Sequence, residues 1–307
     1  MIELKNLSKG FEDKMVLKGV TTKIASGSIC GLIGSNGAGK STLLRCISGV
    51  YKPLSGEILV DGQELYENPV VKQKMFFQAD ESYFPGGADM EHMAQFYKSY
   101  YQAYDIDYFH SLCETFRLDS KKKLQSFSKG MRRQAAMVMA LASRPEVLLL
   151  DESFDGLDPV VKDAMRKLLC CEVADRAMTV LVSSHSLREL QDLCDQLLFL
   201  HDGKILLDQS MDSIGNELLK VQVAFQKKYD RSIFEGLEIV KYEKKGAVTN
   251  LVVRGSEEEI RGFLKGKHPM LMEILPLTLE EMFLCEVQTI GYSFDIEVKG
   301  DGQDEQA

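Results

Sequence analysis

No stretch of the 307 residues approaches the roughly 18 consecutive apolar residues of a bilayer-spanning helix, so no part of the chain is expected to cross a membrane. A basic excess is also lacking: 37 Lys and Arg stand against 46 Asp and Glu, for a net charge of −9. That weighs against a general nucleic-acid binder, which needs a positive face for phosphate, and nucleic acid is not expected as a partner. The seven cysteines are odd in number and include no C-x-x-C pair; Cys170 and Cys171 are simply neighbours. Neither a disulfide framework nor a zinc site is expected, and reduced thiols in a cytosolic compartment fit better. Met1 leads straight into the alternating "IELKNLSKGF", which does not read as a signal peptide. If such a chain works at a membrane, another chain supplies the membrane part.

Hydrophobic residues make up 45% of the chain and charged residues 27%. That is globular, with room for one large domain and one small one. The most informative stretch is "GLIGSNGAGKSTLL" at residues 31–44. Ser28 to Ile33 reads as a short buried strand, and Leu43, Leu44 and Ile47 fall at helical spacing. Between them, Gly34-Ser35-Asn36-Gly37-Ala38-Gly39-Lys40-Ser41 matches G-x-x-x-x-G-K-[ST] in the strand–loop–helix context that a phosphate loop requires. Glycines let backbone amides turn inward around phosphate oxygens, and the helix N-terminus adds its positive dipole end. Lys40 is expected to reach the β- and γ-phosphates, Ser41 to ligate Mg²⁺ and Thr42 to touch the α-phosphate. The competing reading is a glycine-rich turn without a ligand.

A second centre is "EVLLLDESFDGLDP", residues 146–159. Val147 to Leu150 reads as a strand buried on both faces, ending in paired acids. A carboxylate there lies in the ligand crevice of an open α/β sheet. Asp151 is expected to hold Mg²⁺, directly or through water, and Glu152 to act as general base on the attacking water. Two solvated acids in a loop are the alternative.

With these two centres in place, the sequence resembles the nucleotide-binding subunit of an ABC transporter over residues 1 to about 215, with several motifs in the family's order. Lys40 and Ser41 fall in the Walker A match, and Asp151 and Glu152 end the Walker B match. "SFSKGMRRQ" at 126–134 is similar to the family signature, with Ser128 and Gly130 at the matching serine and second glycine. Lys129 replaces the more usual first glycine and Met131 the usual glutamine. The resemblance implies that Ser128 and Gly130 address the γ-phosphate held by the opposite protomer. It further implies that Gln78 in "KMFFQADES" is the Q-loop contact to Mg²⁺ and water, and that His185 in "VLVSSHSL", after an apolar strand from Thr179 to Val182, is the switch histidine. Asp155, Gly156, Leu157 and Asp158 correspond to the D-loop, with Asp158 counted among the nucleotide-binding positions. Phe11 stands where the family stacks an aromatic on adenine, with Val16 nearby; such an aromatic can equally belong to the core.

What the resemblance implies about architecture is an α/β P-loop ABC ATPase core over 1–215, with a helical subdomain at about 80–145. Strand-like and helical segments from Leu218 onward then read as a small α+β appendage over 216–293, and the polar 294–307 as a flexible tail. Phe96, Tyr100 and Tyr104 recur at helical spacing and are expected to pack as subdomain core, while Tyr83 and Phe84 are the better candidates for a partner's helix. Because only one phosphate loop and one signature occur, the resemblance implies ATP and Mg²⁺ bound between two protomers, homologous or identical. It also implies a separate transmembrane permease that would hold the chain at the cytoplasmic face of the membrane. An exporter is the leading expectation, with a peptide as cargo. A soluble ABC ATPase acting on a protein scaffold is the alternative.

Overall fold

The computed structural model describes residues 1–227 and 229–289. The tail expected at 294–307 lies outside them. The described chain separates into two compact units, dividing between Ser213 and Ile214.

In chain order, the first unit comprises β1 (Ile2–Phe11), β2 (Lys14–Ile24), β3 (Ile29–Ile33), α1 (Lys40–Ile47), β4 (Ser55–Val60) and β5 (Gln63–Glu64). Then follow α2 (Pro69–Lys72), β6 (Met75–Gln78), α3 (Met90–Tyr100), α4 (Ile106–Thr115), α5 (Lys129–Ala142) and β7 (Val147–Asp151). α6 (Pro159–Arg176), β8 (Thr179–Ser184), α7 (Leu187–Gln191), β9 (Gln196–His201) and β10 (Lys204–Ser210) complete it.

Every residue of β3, β7 and β8 is buried, as their near-continuous apolar runs require of strands covered on both faces. They lie centrally in a sheet of order β10-β9-β3-β8-β7-β6, parallel except for the β9–β10 hairpin. A second, antiparallel sheet of order β2-β1-β4-β5 contributes Leu4, Leu17, Val20 and Ile58 to the same core as Leu32, Leu149 and Leu198. The register decides the rest. Ile33 pairs with Ser184, Asp151 with Ser183, and Gln78 with Leu150. The carboxyl ends of four adjacent strands therefore finish level, and the chain leaves each of them at one edge of the sheet.

Strand bounds differ slightly from the sequence reading. β3 begins at Ile29 rather than Ser28, β7 includes Asp151, and β8 runs on to Ser184. The polar residues at these strand ends are in the sheet because their backbone groups still pair, whatever the side chain.

The expectation for the aromatic row is corrected. α3 ends at Tyr100, so Tyr104 does not extend it. Tyr104 is buried, but Phe96 and Tyr100 are 52% and 62% exposed. The inward face of α3 is Met90, Met93 and Ala94, with Tyr97 edge-on to Phe76 at 5.4 Å. Phe96, one residue before Tyr97, is rotated about 100° from it and leans on Tyr100, the last residue of the helix, at 4.9 Å.

In the second unit β11 (Leu218–Ala224), β12 (Glu238–Lys245), β13 (Val248–Arg254), α8 (Glu257–Lys265), β14 (Leu271–Leu275) and α9 (Leu279–Thr289) follow one another. The sheet runs β12-β13-β11-β14, all antiparallel. Alternation along the strands sends Val221, Val223, Leu251 and Val253 to a core with Ile260 and Leu264 of α8, while Leu218 and Val252 meet Cys285 of α9 on the other face. Ser256 and Glu259 form a reciprocal capping box that starts α8.

Candidate functional site

The loop between β3 and α1 owes its shape to its glycines. A Cβ on Gly34 would stand 2.4 Å from the backbone oxygen of Leu200 on the neighbouring β9, so no larger residue fits. Gly39 has φ +111°, and a Cβ there would press on Leu17 and on the Val16 carbonyl at 3.1 and 3.3 Å. Ser35, Asn36 and Gly37 are exposed at the loop crest, while Ala38 donates its N–H to the Ser35 carbonyl at 3.1 Å. α1 starts at Lys40 with no side-chain cap and no acid in its first turn. The first-turn N–H groups, with Ser41 and Thr42 half-buried beside them, therefore face whatever the loop encloses.

Lys40 is 5% exposed, and its ammonium is fully directed. It donates to the Gly34 carbonyl at 2.8 Å and to the Ser35 carbonyl at 3.4 Å, and lies 3.4 Å from Glu152 Oε1. Two strands away, at the end of β7, Asp151 is also buried. Its Oδ1 accepts from Ser183 Oγ at 2.8 Å, while its Oδ2 has no hydrogen-bond partner among the described residues. Gln78 Oε1, at the end of β6, is likewise buried and unpartnered. Such orphaned oxygens are rare in folded proteins and call for a ligand. Glu152 follows in the left-handed region at φ 46°, a conformation that costs a non-glycine residue about 1–2 kcal/mol. Its N–H is held by Ser183 Oγ at 3.0 Å.

His185 stands just past β8. Its Nδ1 lies 3.5 Å from Asp155 Oδ2 and 3.9 Å from Glu152 Oε2, and ligand atoms of these three residues all fall within 4.8 Å of one another. Burial pushes the Asp155 carboxyl above its ordinary value; His185 and Arg133 oppose that shift, while Glu189 and Glu152 add to it. Ser184 Oγ accepts from the Ser186 N–H at 2.9 Å and donates to Glu189 Oε2 at 2.8 Å, fixing the backbone on either side of the imidazole.

The fold thus joins Lys40, Glu152 and His185 through side-chain contacts at the strand ends, with Asp151 tied in through Ser183. Four other candidates lie elsewhere. Ser128 caps α5, accepting from the Met131 N–H at 3.2 Å. Gly130 is the second residue of α5, where a Cβ would come 3.0 Å from the Gly156 carbonyl. The Asp158 carboxylate caps α6, accepting from the N–H groups of Val160 and Val161 at 3.1 and 3.0 Å. Phe11 is 42% exposed on the antiparallel sheet, edge-on to Tyr51 at 5.2 Å with Lys9 Nζ 5.0 Å from its ring. The sequence reading passed over Ser183, Ser184, Glu189 and Arg133. A pair of serines closing an apolar strand was the available signal for the first two.

A phosphate-cradling loop after β3 faces the buried carboxylate that ends β7 and the glutamate after it, with β8 and the histidine that follows it between them. That geometry is the machinery of a P-loop ATPase. The chain belongs to the ABC transporter ATP-binding proteins. The family model described as "ABC transporter" matches residues 17–155. The chain is 32% identical over 286 residues to the ABC transporter ATP-binding protein YtrB of Bacillus subtilis (strain 168), covering 93% of this chain and 98% of that one. It is 29% identical over 244 residues to the lantibiotic transport ATP-binding protein SrtF of Streptococcus pyogenes, covering 74% of this chain and 100% of that one. The fold matches the dimeric, ADP- and Pi-bound post-hydrolysis state of the ATP-binding cassette MJ0796 with a TM-score of 0.62 at 22% identity, over 69% of this chain and 99% of that one.

Proposed function

We propose that this ATP-binding subunit powers export, dimerising on ATP and driving a separate membrane permease whose cargo is a peptide. The reading of the centre is carried by the Lys40–Glu152–His185 constellation beside the unpartnered Asp151 oxygen. Glu152 Oε2 is the base that takes a proton from the attacking water. His185 orients the γ-phosphate, and Lys40 steadies its charge. Ser128 and Gly130 serve the nucleotide of the opposite protomer, since one chain carries a single phosphate loop and a single signature. Asp158, beyond its cap, belongs to that same interface.

The donor set suits Mg²⁺: a hard cation prefers oxygens, and Asp151 Oδ2, Gln78 Oε1 and the Ser41 hydroxyl supply them. Bound there, the ion would neutralise phosphate charge. Phe11 offers an exposed ring for adenine.

Among the described residues no helix is long and apolar enough to cross a membrane, which is consistent with a peripheral subunit held by its permease. Tyr83, 85% exposed, and Phe84 line a cavity of about 420 Å³ with Leu124, Lys129 and Arg132, a fitting seat for a permease segment. Export of a peptide rests on similarity to the lantibiotic transport protein.

The test is affinity capture of the Glu152→Gln chain, with ATP, from detergent-solubilised membranes of its own host. Near-equal recovery of a polytopic membrane protein is expected. Recovery solely from the soluble fraction, with a scaffold protein, would overturn the transport partner while leaving the ATPase intact.

A further inference from the structure

We infer that Arg133 is a positioning residue for ATP hydrolysis, tying the segment after Gln78 to the loop that carries Asp155. The inference rests on the reading of the Glu152–His185 centre given above.

Arg133 lies on α5, and its side chain is 6% exposed. One terminal nitrogen of its guanidinium donates to the Asp155 carbonyl, and the other to the Asp80 carboxylate. Asp80 is two residues beyond Gln78. Asp155 is the residue whose carboxylate meets His185 Nδ1 at 3.5 Å. A single rigid fork therefore spans three segments that lie far apart in sequence. Gly130 and Arg133, three residues apart, share one face of α5. At Gly130 the helix comes so close that a Cβ would stand 3.0 Å from the Gly156 carbonyl. The N-terminal end of α5 thus meets the Asp155–Gly156 turn at two points.

A structural staple is a poor explanation for this side chain. Burying a charge costs more than an apolar residue of the same volume, and Nε of Arg133 has no partner among the described residues. Geometry explains it better: planar guanidinium holds two acceptors at a set angle, which lysine cannot do. With the Asp155 backbone held from one side and its carboxylate set against His185 on the other, the fork keeps the imidazole beside Glu152. A shift of Asp80 is passed to Asp155 through the same group.

The experiment is steady-state ATPase kinetics on the full chain for Arg133→Met, Arg133→Lys, Asp80→Asn and the double variant Asp80→Asn/Arg133→Met, with Glu152→Gln in parallel. Arg133→Met is expected to lower kcat at least tenfold while KM for ATP stays within about twofold, because the phosphate loop is untouched. Arg133→Lys should recover part of kcat. Asp80→Asn should lower kcat in the same sense, and the double variant should be no worse than Arg133→Met alone. Asp80 is 44% exposed, so its variant folds even where Arg133→Met does not. Multiplicative losses in the double variant, or wild-type kcat in Asp80→Asn and Arg133→Met, overturn the inference. Full turnover of Glu152→Gln would overturn the reading of the centre and this inference with it; an inactive Glu152→Gln beside a silent Arg133 would overturn the inference alone.

Discussion

Lys40 Nζ lies 3.4 Å from Glu152 Oε1, linking the first residue of α1 to the residue after β7 across the strand between them. On the proposed reading, the contact sets phosphate-binding charge beside the carboxylate that would accept a proton. Glu152→Gln keeps the shape and hydrogen-bonding reach of that side chain but not its basicity. ATP binding is expected to persist while turnover falls by about 10²-fold or more. Equilibrium binding of a fluorescent ATP analogue, read beside phosphate release, checks both halves. Wild-type release would show that another group is the base.

Ser183 joins the two acids. Its hydroxyl donates to Asp151 at 2.8 Å and accepts from the Glu152 N–H at 3.0 Å. Ser183→Ala leaves the buried Asp151 Oδ1 and the part-buried Glu152 N–H short of a partner, at a cost of about 1–3 kcal/mol. A lower melting temperature and a higher Mg²⁺ concentration for half-maximal ATPase activity are expected together. An unchanged Mg²⁺ requirement would detach Asp151 from the metal.

Two glycines of the phosphate loop should respond differently to alanine. At Gly34 the new Cβ meets the Leu200 backbone oxygen at 2.4 Å, so β9 or the loop has to move. At Gly37 it meets nothing within 4 Å, and only the φ of +81° opposes it, at about 1–2 kcal/mol. Gly34→Ala should lose ATP binding outright, whereas Gly37→Ala should weaken it by roughly tenfold. Isothermal titration with ATP separates them, and equal losses would contradict the close-approach argument.

The second unit offers a pH test. A hydrogen bond from Lys220 at 2.6 Å, joined by one from the Thr278 N–H at 3.0 Å, holds the Glu281 carboxyl below its ordinary 4.5. A carboxylate with a lowered folded pKa stabilises the fold fully above its unfolded value, and that stability is lost as pH falls through the folded pKa. Glu281 is 37% exposed, so its share is under about 1 kcal/mol. Glu281→Gln should quicken amide exchange in β11 of the full chain at pH 7. The difference from wild type should shrink below pH 4.5. A difference constant across that range would contradict the ionic origin.

Legibility in the sequence follows the range of the interaction. The Gly34–Ser41 loop and the apolar runs of β3 and β7 were readable because a motif or a buried strand is written in consecutive residues. Phe96 and Tyr100 were misread for the opposite reason. Spacing along a helix groups residues into a face, but only the neighbours decide which face turns inward, and Met90, Met93 and Ala94 took that place.

The sequence by itself determined the α/β class, the phosphate loop and membership of the ABC ATP-binding proteins, because each rests on local chemistry in a set order. Only the tertiary structure decided that Ser183 bonds the Asp151 carboxylate and the Glu152 N–H, that Lys40 reaches Glu152, and that Arg133 clasps Asp80 and Asp155. Those contacts depend on β8 lying between β3 and β7 and on α5 meeting the Asp155–Gly156 turn. Strand order and helix docking are set by burial of the whole core, which no short stretch of residues encodes.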